Sequence, residues 1–159
     1  MNLVVVNMIN SERLKDIRED HDLSQKKMSE ILKVRRSTYS VWELGINIIP
    51  LNHVSDFADY FGYSIDYVLG LTYKKENNKI KGFDKKIVGK RIKELRIKNH
   101  LSQKELAIVL NVTQACITRY EKGLVEISTS NMYKLSKTFN ISMNYLCGKE
   151  PIKEKEYSF

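Results

Sequence analysis

Apolar residues in this chain recur at spacings of three and four in short runs, separated by polar breaks. Leu14 and Ile17 open the first run just after Ser11, which predicts an amphipathic helix with Ser11 as its N-cap. Ser24 stands before Met28, Ile31 and Leu32, the inward face of a second helix that "KVR" (33–35) ends. A third helix carries Tyr39 and Trp42 inward and stops at Gly45. A fourth, from about Leu51 to Phe61, buries Val54, Phe57, Ala58 and Phe61; Ser64 caps a fifth, from which Tyr67, Val68 and Leu69 pack back.

The same pattern is then written a second time. "LSQKKMSEILKVRRSTYSVWELG" (23–45) returns 78 residues later as "LSQKELAIVLNVTQACITRYEKG" (101–123). The shift pairs Arg13 with Arg91, Arg18 with Arg96, Phe61 with Phe139, Ser64 with Ser142, Tyr67 with Tyr145 and Gly70 with Gly148, without a gap and with roughly a quarter of positions identical. Two copies make two similar domains rather than a solenoid, which needs three or more repeats. The expected core of the second copy is Ile92, Leu95, Leu106, Val109, Leu110, Ile117, Tyr120, Leu135, Phe139, Tyr145 and Leu146. The expectation is an all-α chain with two five-helix domains at 11–71 and 90–149. Around them lie an N-terminal arm (1–10), a basic linker (72–89) with one helical turn near its end, and a frayed tail (150–159). Two prolines and seven glycines in 159 residues agree with helices throughout.

Composition narrows the function. No apolar run approaches the length of a membrane span, and the apolar start "MNLVVVNMI" lacks the basic residues and cleavage site of a secretory signal, so a cytoplasmic protein is expected. Cys116 and Cys147 form neither a disulfide framework nor a metal spacing, and His21, His53 and His100 share no ligand spacing; no metal or other cofactor is expected. The net charge of +8 is unevenly placed: −2 over 11–71, +4 over 72–89 and +7 over 90–149. In the first copy the acids Glu12, Asp16, Glu19, Asp20, Asp22, Asp56, Asp59 and Asp66 lie on the first, fourth and fifth helices. Its bases Lys26, Lys27, Lys33, Arg35 and Arg36 gather around the third.

Two helices joined by a three- or four-residue turn form a corner whose second helix fits the major groove of B-DNA. The N-terminal end of the third helix should then be polar. The first copy offers Arg36, Ser37, Ser40 and Val41; the second offers Gln114, Ala115, Thr118 and Arg119. Arginine suits guanine, glutamine suits adenine, and an alanine or threonine methyl suits thymine. Gln25 and Gln103 open the second helix, where a side-chain amide and free backbone N–H groups meet a phosphate. Tyr39, Trp42, Tyr67, Tyr120 and Tyr145 read as core rather than as base-stacking platforms. Lys26, Lys27, Lys93 and Lys98 read as solvated, and Cys116 and Cys147 as small apolar side chains.

The pattern "LSQxxLAxxLxVxxxxIxxxExG" resembles the phage repressor and Cro type of helix-turn-helix, the XRE family, over 11–71 and 90–149. That resemblance implies a five-helix bundle reading operator DNA with its third helix. It also implies ion pairs between the first and third helices, at Arg18 with Glu43 and Arg96 with Glu121. The chain departs from the family pattern in the first copy, where Lys33 holds the turn position usually given to glycine and Arg35 holds the N-cap of the third helix; the second copy has Asn111 and Thr113 there. The implied function is a sequence-specific double-stranded DNA-binding transcriptional regulator, most simply a repressor that covers two unlike half-sites. The alternative is an interaction or antitoxin-type protein, in which the second domain binds DNA and the first mediates dimerisation or partner capture. An enzyme is not expected, because no phosphate loop, nucleophile–base motif or clustered acid pair appears, and no small-molecule ligand or membrane partner is indicated. Pairing of the arm with the same segment of a second chain would give a homodimer.

Overall fold

The computed structural model describes residues 9–75 and 80–151. Most of the N-terminal arm and of the tail, with the readings made for them, lies outside the described residues. Among the described residues there are ten helices and no strand. In the first half these are α1 (Glu12–Asp20), α2 (Gln25–Ile31), α3 (Arg36–Glu43), α4 (Leu51–Phe61) and α5 (Ile65–Val68). In the second they are α6 (Lys85–Lys98), α7 (Gln103–Leu110), α8 (Gln114–Glu121), α9 (Thr129–Phe139) and α10 (Met143–Leu146).

The helix starts follow side-chain chemistry, with one correction. Ser24, Ser64, Ser102, Thr113, Ser128 and Ser142 each accept a backbone N–H through the hydroxyl oxygen, satisfying a donor that the first turn leaves unpaired. Ser11 does not: its backbone is already helical and its side chain makes no cap bond. Asn10 takes the role, its Oδ1 accepting from Glu12 N at 3.1 Å. The helical turn expected near the end of the linker is the beginning of α6. Asp84 accepts from Lys86 N at 2.8 Å and starts a helix that runs five residues into the stretch read as linker.

The buried apolar side chains of the two halves form one core cluster. Leu14, Ile17, Met28, Leu32, Tyr39, Trp42, Val54, Phe57 and Val68 are buried in the first, and Ile92, Leu95, Leu106, Leu110, Ile117, Tyr120, Leu135 and Leu146 in the second. Phe61, Val109, Phe139 and Tyr145, expected in the core, are half-buried and pack against it. Full burial of one such side chain contributes roughly 1.5–3 kcal/mol, so this core dominates the stability of both halves. Gly89 shows how closely the helices approach. A Cβ there would stand 2.2 Å from the carbonyl oxygen of Tyr120, so no other residue lets α6 cross the end of α8 at this distance.

The halves also pack on each other. α5 of the first meets α10 of the second, and the segments that open α4 and α9 are hydrogen-bonded beside them. Thr129 Oγ1 donates to the Ile49 carbonyl at 2.6 Å, and Glu126 accepts from Asn52 N at 3.0 Å. Asp59 and Asp66, two of the acids of the fourth and fifth helices, lie partly buried in this seam.

Candidate nucleic-acid interface

The corner formed by α2 and α3 is held from behind by one guanidinium. Arg18 Nε donates to Glu43 Oε1 at 2.6 Å, its Nη2 to Glu43 Oε2 at 3.1 Å, and its Nη1 to the Leu23 carbonyl at 2.7 Å. One side chain therefore ties α1, the turn before α2 and the C-terminal end of α3. Arg96 repeats this in the second half, with Glu121 at 2.5 and 3.1 Å and the Leu101 carbonyl at 2.9 Å. Both pairs are largely withdrawn from water, with side-chain exposures of 8% and 2% in the first half and 13% and 4% in the second. Burial alone would raise the pKa of Glu43, but hydrogen bonds from Arg18 and Gln25 outweigh it and hold the carboxyl below its ordinary value. The bond to Glu43 pushes Arg18 upward in turn.

The glutamines that open α2 and α7 join these networks, which the sequence reading did not foresee. Gln25 Nε2 donates to Glu43 Oε2 at 2.8 Å, and Gln103 Nε2 donates to Glu121 Oε2 at 2.9 Å. Gln103 Oε1 also accepts from the Thr118 hydroxyl at 2.9 Å. The signal was present: glutamine and glutamate recur 18 residues apart in both copies.

Two turns set how α3 and α8 are presented. Lys33 and Asn111 both adopt a left-handed backbone, φ +55° in each. Asparagine tolerates that region readily and lysine less so. Thr113 Oγ1 accepts from Cys116 N at 3.2 Å, whereas Arg35 makes no cap bond.

On the outer side, Arg36, Ser37, Gln114, Ala115 and Arg119 are exposed, and Ser40, Val41 and Thr118 are half-exposed. Gln25 and Gln103 are half-exposed at the rim. Lys26, Lys27, Lys33 and Arg35 surround α3, while Lys104 and Lys122 flank α8; all six are exposed. Tyr39, Trp42 and Tyr120 face the core. Just past the two helices, Leu44 (68% exposed), Ile46 (58%) and Leu124 (59%) project into solvent, a feature the periodicity did not pick out. This face offers hydrogen-bond donors and acceptors, a methyl group and a fringe of positive charge, on two short helices of groove width. Among the described residues no group of histidine, cysteine, aspartate and glutamate could hold a metal ion.

Comparison with known proteins agrees with this geometry. The helix-turn-helix family matches residues 14–68 and again residues 92–146. The transcriptional regulator ImmR of Bacillus subtilis is 38% identical over 68 residues, 43% of this chain and 54% of that protein. An uncharacterised helix-turn-helix regulator of the same organism, YobD, is 31% identical over 61 residues, 38% of this chain and 54% of that protein. The chain thus spans about half the length of these curated relatives. Among solved structures, the restriction-modification controller protein C.AhdI of Aeromonas hydrophila is similar at 30% identity, covering 40% of this chain and 96% of that one with a TM-score of 0.37. The clp gene regulator ClgR of C. glutamicum is similar at 17% identity, covering 41% and 84% with a TM-score of 0.38. The chain belongs to the helix-turn-helix family, in its phage repressor and Cro (XRE) form, and carries that unit twice.

Proposed function

We propose that this chain is a cytoplasmic transcriptional regulator, a repressor that binds double-stranded operator DNA with α3 and α8 in successive major grooves. One observation carries the reading: both halves expose polar residues at the N-terminal end of the third helix while an Arg–Glu–Gln network clamps that helix from behind. Clamped helices keep their side chains in register with base edges and lose little freedom on binding.

The roles follow from the chemistry left free. Arg36 and Arg119 take guanine, and Gln114 takes adenine. The hydroxyl of Thr118 is committed to Gln103 and the Gln114 carbonyl, so its methyl remains for a thymine. Gln25 and Gln103 each keep one amide N–H for a phosphate after donating the other to glutamate. The surrounding lysines supply attraction that is blind to sequence, so affinity falls steeply with salt. Two unlike reading helices joined in one chain favour two unlike half-sites about one helical turn apart. Occupancy of such a site blocks polymerase.

The alternative, in which the first half captures a partner, is less well supported. The α4–α5 surface that would pair with another protein is spent on the second half of the same chain. Selection of sites from random DNA, followed by binding titrations with Arg36→Ala and Gln114→Ala, tests both readings. Losses for both variants support two readers. A loss for Gln114→Ala alone supports one reader and one partner domain, and no selected site at all refutes both.

A further inference from the structure

The seam between the halves is built from polar contacts that are not the same on its two sides. Asp66 accepts from the amides of Met143 and Asn144 at 3.1 and 2.8 Å, and Asn144 Oδ1 accepts from the amide of Ile65 at 3.1 Å. Each residue therefore satisfies the first turn of the other's helix. They are equivalent positions, 78 apart, yet one is a carboxylate and the other an amide. Further along, the ammonium of Lys149, whose side chain is fully buried, donates to both carboxylate oxygens of Asp59 at 2.8 and 2.7 Å and to the Gly82 carbonyl at 2.6 Å. Gly82 N closes the ring by donating to Asp59 Oδ2 at 2.7 Å. In the first half the place of Lys149 is held by Leu71, and in the second the place of Asp59 is held by Lys137.

We infer that Asp59, Asp66, Asn144 and Lys149 form a pairing code that fits the first half to the second and turns each half away from its own kind. The arithmetic of charges carries it. Two first halves joined the same way would set Asp66 against Asp66. Burial already raises the pKa of the one carboxyl present there, with Asn144 and Met143 N–H groups only partly offsetting it. A second carboxylate would add repulsion in a desolvated site. The same arrangement would leave each Asp59 facing a leucine, a carboxylate without its ammonium. Two second halves would set Lys137 against Lys149, two cations with no acid between them. Only the unlike pair gives Lys149 a carboxylate and gives the helix starts one charged and one neutral cap. The partner that fits this surface is thus the other half of the same chain, and the chain works as a single-chain counterpart of a dimer.

The test exchanges identities across the seam in the full chain and uses no DNA, so its outcome is independent of the reading role. Asn144→Asp alone sets two carboxylates together. Lys149→Asp alone does the same beside Asp59. Each is expected to lower amide hydrogen-exchange protection at Ile65 and Met143 by about ten-fold or more. The exchanged double Asp66→Asn with Asn144→Asp is expected to return within about three-fold of the unmodified chain. Asp59→Lys with Lys149→Asp is expected to recover in part, because the Gly82 amide and carbonyl then face groups of their own kind. Should a single variant fail to fold, a folded double still supports the code. Doubles as damaged as their singles, whether open or unfolded, overturn it. So does a dimer of the unmodified chain in which two first halves, or two second halves, meet each other across this seam.

Discussion

Arg35 and Thr113 stand at the same place before α3 and α8, yet only Thr113 caps its helix. The contrast continues through each half. α7 begins with a capping box, Ser102 and Glu105 each bonding the other's backbone, while α2 has Ser24 alone. The second half adds the Thr118–Gln103 bond, and its turn residue suits the left-handed backbone. The first half lacks these local supports and has the more deeply buried ion pair and a cluster of rings, with His21, Phe61 and Tyr63 in contact. The second half has Asn99, Phe139 and Ile141 at those places, lining a cleft of about 520 Å³. One frame is thus held in two ways: by short-range caps in the second half, and by long-range packing and charge in the first.

That contrast sets the order of the expected effects. The largest is at the ion pairs. Glu43→Ala strands the buried guanidinium of Arg18 and should cost about 3–5 kcal/mol by urea unfolding. Glu121→Ala should cost less, because its pair is wetter and its helices have caps; equal losses would erase the distinction between the halves. The same pair leaves an acid signature. The pKa of Glu43 is lowered on folding, so its contribution is complete above the ordinary glutamate value and is lost as pH falls through the folded value. Glu43→Gln should flatten the fall in the urea midpoint over that window.

Next come the proposed reading residues. Arg36→Ala and Gln114→Ala should each cost about 1–3 kcal/mol of binding to the selected site and relax one base position, seen in titrations against single-base variants. The smallest effects are at the turns. Lys33→Gly should stabilise the first half by about 1 kcal/mol by relieving the left-handed lysine, whereas Asn111→Gly should change little. Arg35→Thr should add about 1 kcal/mol and Thr113→Ala should remove a similar amount, both read from thermal unfolding. A first half indifferent to both substitutions would mean that its third helix is set by packing alone.

The helices, their inward faces and the repeat were legible in the sequence, because a period near 3.6 and hydroxyl caps are local signals. The candidate reading face was legible for the same reason: once Tyr39, Trp42, Ile117 and Tyr120 point inward, their neighbours point out. What escaped was long-range. Asp59, Asp66 and Lys149 look like ordinary surface charges until the fold brings residues 59 and 149 within a hydrogen bond. Gln25 and Gln103 look free until Glu43 and Glu121 arrive from 18 residues away. A helical turn at the end of the linker was legible, but not its continuity with α6: five of the eight residues before position 87 are lysine or aspartate, and charge reads as loop until Asp84 is seen to cap.

The glycine at 89 and the serine at 11 occupy corresponding places, though only the former is forced by a neighbour's backbone. In an assembly of identical subunits every substitution arrives twice and must suit both copies at once. Here each position is altered singly, so one proposed recognition surface is open to redesign for a new target while its counterpart keeps its own side chains.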